Sequence, residues 1–256
     1  MVFVANGLVK PEAPGGRPCV WAATGRSGGV STAPYTSLNL AGYVGDQASS
    51  VVRNRSAVVR ALGLDDGAIA VMDSVHGAEL ETVSGPGVIP GVDAMLTRTP
   101  GLAIVALGAD CVPIGLIGAD GRTIAVAHCG WRGLVADVIA VTVDAMRQHG
   151  TDVRLAVLGP SVCGQCYPVP PARALEVRDA TSTVVAQAAV VVTPDGQPGI
   201  DVRSGVRARL IELGLPFHAI TLAGGCTVED GALFSYRRDG VTGRQGIAVA
   251  ILDPAE

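Results

Sequence analysis

IGLIGADGRTIAVA, Ile114 to Ala127, reads as two short aliphatic runs closed on a turn. Ile114–Ile117 and Thr123–Ala127 have strand composition, and Asp120-Gly121 between them is a residue pair that tolerates the left-handed backbone of a hairpin turn. With Asp120 and Gly121 as the loop, His128 stands opposite Pro113, and Cys111 lies just beyond, at the open mouth of the hairpin. Outward from it, strands are expected at Val20–Ala23, Ala68–Met72, Leu102–Leu107, Leu155–Leu158, His218–Leu222 and Gly246–Leu252. Helices are expected at Gln47–Leu62, Leu134–His149, Pro171–Ala189 and Asp201–Leu213. Helices scattered among strands, with a tight hairpin in their midst, predict mixed α+β architecture in preference to a regular doubly wound sheet.

The chain has 256 residues, 48% of them hydrophobic, enough for one large core without disulfides or a metal to hold it together. Pro11–Pro18 and the Gly/Pro-rich Ser84–Gly91 punctuate the chain without dividing it, so one domain over residues 1–256 is expected. A net charge of −4, no basic block, and only four Tyr, three Phe and two Trp argue against a nucleic-acid partner. Met1–Val9 is apolar but lacks a basic flank, and Val184–Val192 is too short to span a bilayer; a soluble, cytoplasmic protein without a membrane partner is expected.

The chemistry-bearing residues gather at the hairpin mouth. His76 follows the strand Ala68–Met72 in a loop position that can reach over a sheet edge. His76, Cys111 and His128 would make two imidazoles and a thiolate, with a fourth position for water, the open shell of catalytic zinc. The same residues also fit a Cys111 nucleophile with His128 as its base, or plain structural roles for a buried thiol and hydrogen-bonded histidines. Asp110 is a candidate to orient a histidine or to carry a proton.

The loop Thr24–Ser31 offers hydroxyls, backbone donors and Arg26 for an anion, although it lacks the lysine and spacing of a P-loop. Arg132, just ahead of the helix expected from Leu134, can extend that anion-friendly surface. Asn39 in SLNL offers an amide to a base or sugar, or stabilises a turn. Arg237 and Arg238 are candidates to clamp a carboxylate or phosphate. Cys163-Gly164-Gln165-Cys166 is the one close pair among six cysteines. A structural zinc site needs a second pair, which Cys226 alone does not supply, so packing or loop roles are expected, with active-site or redox roles as alternatives.

Taken in order, TGRSGGVS from Thr24, SLNL from Ser37, VHG from Val75, VDAMLT from Val92, ADCVP from Ala109, AHCGWRG from Ala127, GPSVCGQCY from Gly159, CT at Cys226, FSYRR from Phe234 and TGRQ to Gln245 make the chain resemble the YfiH family. That family is also called peptidoglycan editing factor PgeF, or multicopper polyphenol oxidoreductase (laccase domain). The resemblance runs from about residue 20 to the C-terminus. It implies a four-layer α/β/β/α fold with mixed sheets, similar to toxin-type cysteine deamidases. It also implies a zinc site on His76, Cys111 and His128, with copper an adventitious occupant. Three departures from the family pattern are Ser74 where Gln is common, Pro168 where Glu is usual and Val206 in place of Asn. None removes a ligand.

The activities that the resemblance implies are phosphorolysis of adenosine, inosine, guanosine or methylthioadenosine, deamination of adenosine, phenol oxidation with copper, and editing of a mis-incorporated amino acid in a cell-wall precursor. Laccase chemistry needs about ten histidines for its copper centres, and this chain has four. The leading expectation is therefore a zinc-dependent purine nucleoside enzyme taking a nucleoside and phosphate. The alternatives are an amidase acting on a peptidoglycan precursor and an interaction protein with a structural metal site.

Overall fold

The computed structural model describes residues 2–253; Met1 and residues 254–256 lie outside the described residues. The chain opens with strands β1 (Phe3–Val9) and β2 (Cys19–Thr24), helix α1 (Ala48–Ala61), and strands β3 (Ile69–Asp73), β4 (Leu80–Thr82), β5 (Gly87–Pro90), β6 (Ala94–Thr97) and β7 (Ala103–Gly108). The central hairpin β8 (Val112–Gly118) and β9 (Ile124–Cys129) leads into α2 (Trp131–Val135), α3 (Val138–Gln148) and β10 (Val153–Leu158). Then come α4 (Pro171–Ala180), α5 (Thr183–Ala189), β11 (Val190–Val192), β12 (Pro198–Ile200), α6 (Val202–Glu212), β13 (Ile220–Leu222), α7 (Tyr236–Asp239) and β14 (Gln245–Ile251).

Two six-stranded sheets, ordered β1-β2-β14-β7-β3-β5 and β13-β10-β8-β9-β6-β4, carry the fold, and each mixes parallel and antiparallel pairs. Alternation along β9 shows how they stack. Ile124 and Val126 join Ile104, Ile247 and Val249 in a core between the sheets. Ala125, Ala127 and Cys129 face the helical layer with Leu134, Ile139 and Val206. On the outer face of the first sheet, Val58, Val59 and Leu62 of the α1 region cover Val71, Val105 and Ala248. The layers therefore run α/β/β/α, as the family resemblance implies. Burying each sheet on both faces explains why their strands read as continuous aliphatic runs.

The hairpin register agrees with the sequence reading, since Pro113 pairs with His128 and Ile117 with Ile124. Its turn is longer than two residues: Gly118 N–H bonds to Thr123 O, and Asp120 Oδ1 accepts from the backbone of Arg122 and Thr123. A loop symmetric about Asp120-Gly121 keeps the same cross-strand partners, so the pairing is unaffected.

The helix expected over Leu134–His149 begins earlier and breaks at Asp137, whose φ of 55° ends α2 and whose carboxylate caps α3 at Ala140 N–H. Pro171–Ala189 divides likewise where Ser182 caps α5 through Val185 N–H. Ser84–Gly91, expected as a turn region, contains β5, which pairs in parallel with β3. The short strands β4, β6, β11 and β12 are additions to the expected set, because three or four residues give too little periodicity to read, and the seven-residue edge strand β1 is a further addition.

Candidate metal centre and cavity

Chain crossing from one sheet to the other builds the centre. β7 ends at Gly108 in the first sheet, Ala109-Asp110-Cys111 spans the gap, and β8 begins at Val112 in the second. The turn is tight: a Cβ on Gly108 would lie 2.5 Å from Cys111 O, and Asp110 holds φ at 106°. His76 (φ 66°) shares that rare backbone region, so two of the three non-glycine residues with positive φ among the described residues belong to this centre.

His128 sits on the inter-sheet side of β9, the next residue after Val126 on that face. Its Nδ1–H donates to Leu107 O at 2.7 Å, and since a carbonyl only accepts, Nε2 is the bare nitrogen. That Nε2 is buried with no hydrogen-bond partner. Leaving such an atom unsatisfied costs about 1–3 kcal/mol. Ligand atoms of His76, Cys111 and His128 all lie within 4.8 Å of one another, with the two imidazoles edge to face at 4.8 Å between centroids. Two imidazoles and a thiol, one nitrogen buried and bare, fit a borderline-soft cation such as zinc.

Asp93 holds the His76 loop in place. Wholly buried, it accepts from the backbone N–H of His76 and of Gly77, both at 2.7 Å, while its own carbonyl accepts from His128 N–H. Gly130 leaves room for the cluster, because a Cβ there would come 2.9 Å from Cys111 Sγ and 3.5 Å from the His76 ring.

Burial, reinforced by the Asp110 carboxylate, pushes the Cys111 thiol up to about 12. Burial, together with His76, pushes His128 down to about 4. A thiolate–imidazolium pair requires the opposite order. A cation at the cluster would supply the charge that a thiolate needs.

The cluster opens into a cavity of about 710 Å³, walled by Tyr43, Trp131, Tyr167, Tyr236, Arg237 and Arg244 as well as by Asp110. Asp110 Oδ1 accepts from Thr227 Oγ1 (2.6 Å) and Ser235 Oγ (2.7 Å), and Oδ2 from Arg237 N–H (2.7 Å). The Arg237 guanidinium stacks on Tyr167 at 4.6 Å. Arg244 is steadied by carbonyls of Thr242 and Gly243.

Three other expected contributors stand apart from this wall. Arg26 is half-buried, donating to Thr36 O, pairing with Asp239 and covering Phe234. Every polar atom of the Asn39 amide is used, by Ala41, Asp46 and the backbone N–H of Arg244. Arg132 is exposed, lies within α2 instead of ahead of a helix, and rests on Trp131. Cys163 and Cys166 fall in a separate cluster with Cys226 and Glu229. Asp93 and Arg244 are site residues absent from the expected set, although both lie in quoted motifs, VDAMLT and TGRQ.

Fold and site together define a two-sheet α/β protein whose sheet crossing presents a His/Cys cluster, able to coordinate a metal, to a large cavity. A family profile described as multi-copper polyphenol oxidoreductase laccase matches residues 20–252, and the chain belongs to that family, the YfiH family. It is similar to a purine nucleoside phosphorylase of Streptomyces coelicolor, with 42% identity over 86% of this chain and 90% of the relative. It is also similar to the purine nucleoside phosphorylase YfiH of Escherichia coli, with 34% identity over 93% and 96%. Among solved structures it resembles YfiH of Bacillus licheniformis (TM-score 0.84, 25% identity, 95% and 98% covered) and YlmD of Geobacillus stearothermophilus (TM-score 0.83, 29% identity, 92% of each). Among the described residues no helix is long and apolar enough to cross a membrane.

Proposed function

We propose that this protein is a zinc-dependent purine nucleoside enzyme, which phosphorolyses adenosine, inosine, guanosine or methylthioadenosine and hydrolytically deaminates adenosine. The observation that carries the reading is the bare, buried Nε2 of His128 beside His76 and Cys111, at a cavity walled by aromatic and cationic side chains. Relatives named purine nucleoside phosphorylase support the substrate class. His76, Cys111 and His128 would hold the ion, with Cys111 as ligand and not as nucleophile. Bound zinc would supply Lewis acidity and lower the pKa of a neighbouring water toward neutrality.

The remaining work falls to the chain. Trp131, Tyr167 and Tyr236 give the cavity an aromatic wall for a purine, their rings also carrying the guanidinium groups of Arg173, Arg237 and Arg244. In phosphorolysis a phosphate oxygen bonds to the anomeric carbon as the bond to the purine nitrogen breaks, and Arg237 and Arg244 hold that anion where positive charge develops on the ribose. Arg26, Asn39 and Arg132 drop out of the substrate-binding set, since their polar groups are spent elsewhere or lie outside the wall. In deamination Asp110, oriented by Thr227, Ser235 and Arg237 N–H, moves a proton at Oδ2 toward the departing ammonia.

The test is incubation of zinc-replete protein with adenosine, with and without phosphate. Free adenine and ribose phosphate are expected with phosphate, and inosine in either case. Neither product at high enzyme concentration overturns the reading.

A further inference from the structure

A second set of candidate ligands converges beside the cavity wall: the thiols of Cys163, Cys166 and Cys226 and the carboxylate of Glu229, each offering one atom within 4.8 Å of all the others. We propose that these four side chains form a second metal site, a closed four-coordinate zinc clip that shares no ligand with the His76–Cys111–His128 centre and ties two loops together.

The spacing is that of two zinc half-sites, since Cys163-Gly164-Gln165-Cys166 and Cys226-Thr227-Val228-Glu229 each place donors three positions apart. Each half is a closed turn. Cys166 N–H bonds to Cys163 O at 3.1 Å, and Asp230 N–H bonds to Cys226 O at 3.0 Å. A parallel bridge aligns the halves, with Thr227 N–H on Ser161 O at 3.1 Å. Across the gap Cys163 N–H donates to Cys226 Sγ at 3.4 Å, the kind of backbone donor that favours a thiolate ligand. Cys166 Sγ lies 3.5 Å from Glu229 Oε1.

Tetrahedral zinc with bonds of about 2.3 Å to sulfur sets neighbouring ligand atoms about 3.8 Å apart, so side-chain rotation alone closes the cluster onto an ion. The turn is closely packed, since a Cβ on Gly164 would meet Val191 at 2.8 Å and Asp201 at 2.9 Å. The cysteines are free, and a disulfide would use two thiols and strand the third beside a carboxylate. Binding exchanges the three thiol protons for one Zn²⁺ without redox change, and four protein donors leave no open position, so the site is structural.

The loops joined by this clip are those that hold Asp110: Val162 N–H bonds to Asp110 O at 3.0 Å and Thr227 Oγ1 to its carboxylate. Val162 and Tyr167, on either side of the first half-site, line the cavity.

The experiment is metal counting on the full chain by mass spectrometry after zinc loading and desalting. About two equivalents are expected for the wild type, and about one each for His76→Ala/Cys111→Ser and Cys163→Ser/Cys226→Ser. Cobalt is then loaded into His76→Ala/Cys111→Ser, where thiolate-to-cobalt absorption with intense tetrahedral bands is expected from the clip alone. That variant decides the matter even where the cysteine variant fails to fold. One equivalent in the wild type with no cobalt–thiolate absorption in His76→Ala/Cys111→Ser overturns the proposal, as does a native mass lower by about two daltons, the signature of a disulfide.

Discussion

The Nδ1–H of His128, on β9 of one sheet, donates to the carbonyl of Leu107, on β7 of the other, at 2.7 Å. Sheet stacking thus selects the tautomer of the buried His128 and leaves its Nε2 bare beside His76 and Cys111. The second imidazole is held differently, through the backbone of its own loop.

Asp93→Asn replaces one of the two carboxylate oxygens that receive His76 and Gly77 N–H by an amide donor facing a donor. Zinc affinity at the His76 centre is expected to fall about 10–100-fold. Folding stability is expected to fall by about 1.5–3 kcal/mol. Competition with a chromophoric chelator and urea denaturation measure the two; unchanged affinity would show that the His76 loop holds its position without Asp93.

Gly130→Ala puts a Cβ 2.9 Å from Cys111 Sγ at a backbone conformation that alanine adopts freely (φ −90°). The fold should survive while the thiol is displaced. Cobalt titration is the check, with the Cys111 thiolate absorption expected to weaken and turnover to drop at least about tenfold.

Arg244→Ala and Arg237→Ala remove cations from the cavity wall. Each is expected to raise the KM for phosphate at least about tenfold, by loss of a charge-assisted contact. Arg132→Ala, exposed and outside the wall, should leave it within about twofold. Arg26→Ala should lower the melting temperature through loss of the Thr36, Asp239 and Phe234 contacts while sparing the phosphate dependence. Steady-state kinetics with phosphate varied separates these outcomes.

Acid should destabilise the metal-free protein through His128. Its imidazole gains a proton near 6.5 when unfolded but resists down to about 4 when buried in the fold. Between those values the unfolded chain binds more protons, so stability falls as the pH falls, by about 3 kcal/mol over the whole window and no further below it. Urea denaturation of chelator-treated protein at pH 7 and pH 4 measures this, and the loss should be smaller by about that amount in His128→Gln. Equal losses would mean that the folded state admits the proton.

Much of the site is legible in the sequence. Aliphatic runs on either side of Asp120-Gly121 imply the pairing of Pro113 with His128, and that register holds although the loop is longer than expected. The motif set points to His76, Cys111 and His128, which the fold brings together. Arg26 and Asn39 read as free polar groups, because a linear sequence does not show that Asp239 and Arg244 come from afar to occupy them. Glu229 escapes a linear reading because an acidic residue on a loop is unremarkable until Cys226 beside it meets the Cys163–Cys166 turn.

What the sequence by itself determined was local: the two aliphatic runs of the central hairpin and the cross-strand partner of His128. These follow from strand composition and turn chemistry within a few residues. Tertiary structure alone decided that Leu107 orients His128, that Arg244 and not Arg26 lines the cavity, and that Cys226 and Glu229 complete a second cluster. Each of these depends on how two sheets and distant loops stack, and stacking is set by burial summed over the whole chain, which no short stretch of residues encodes.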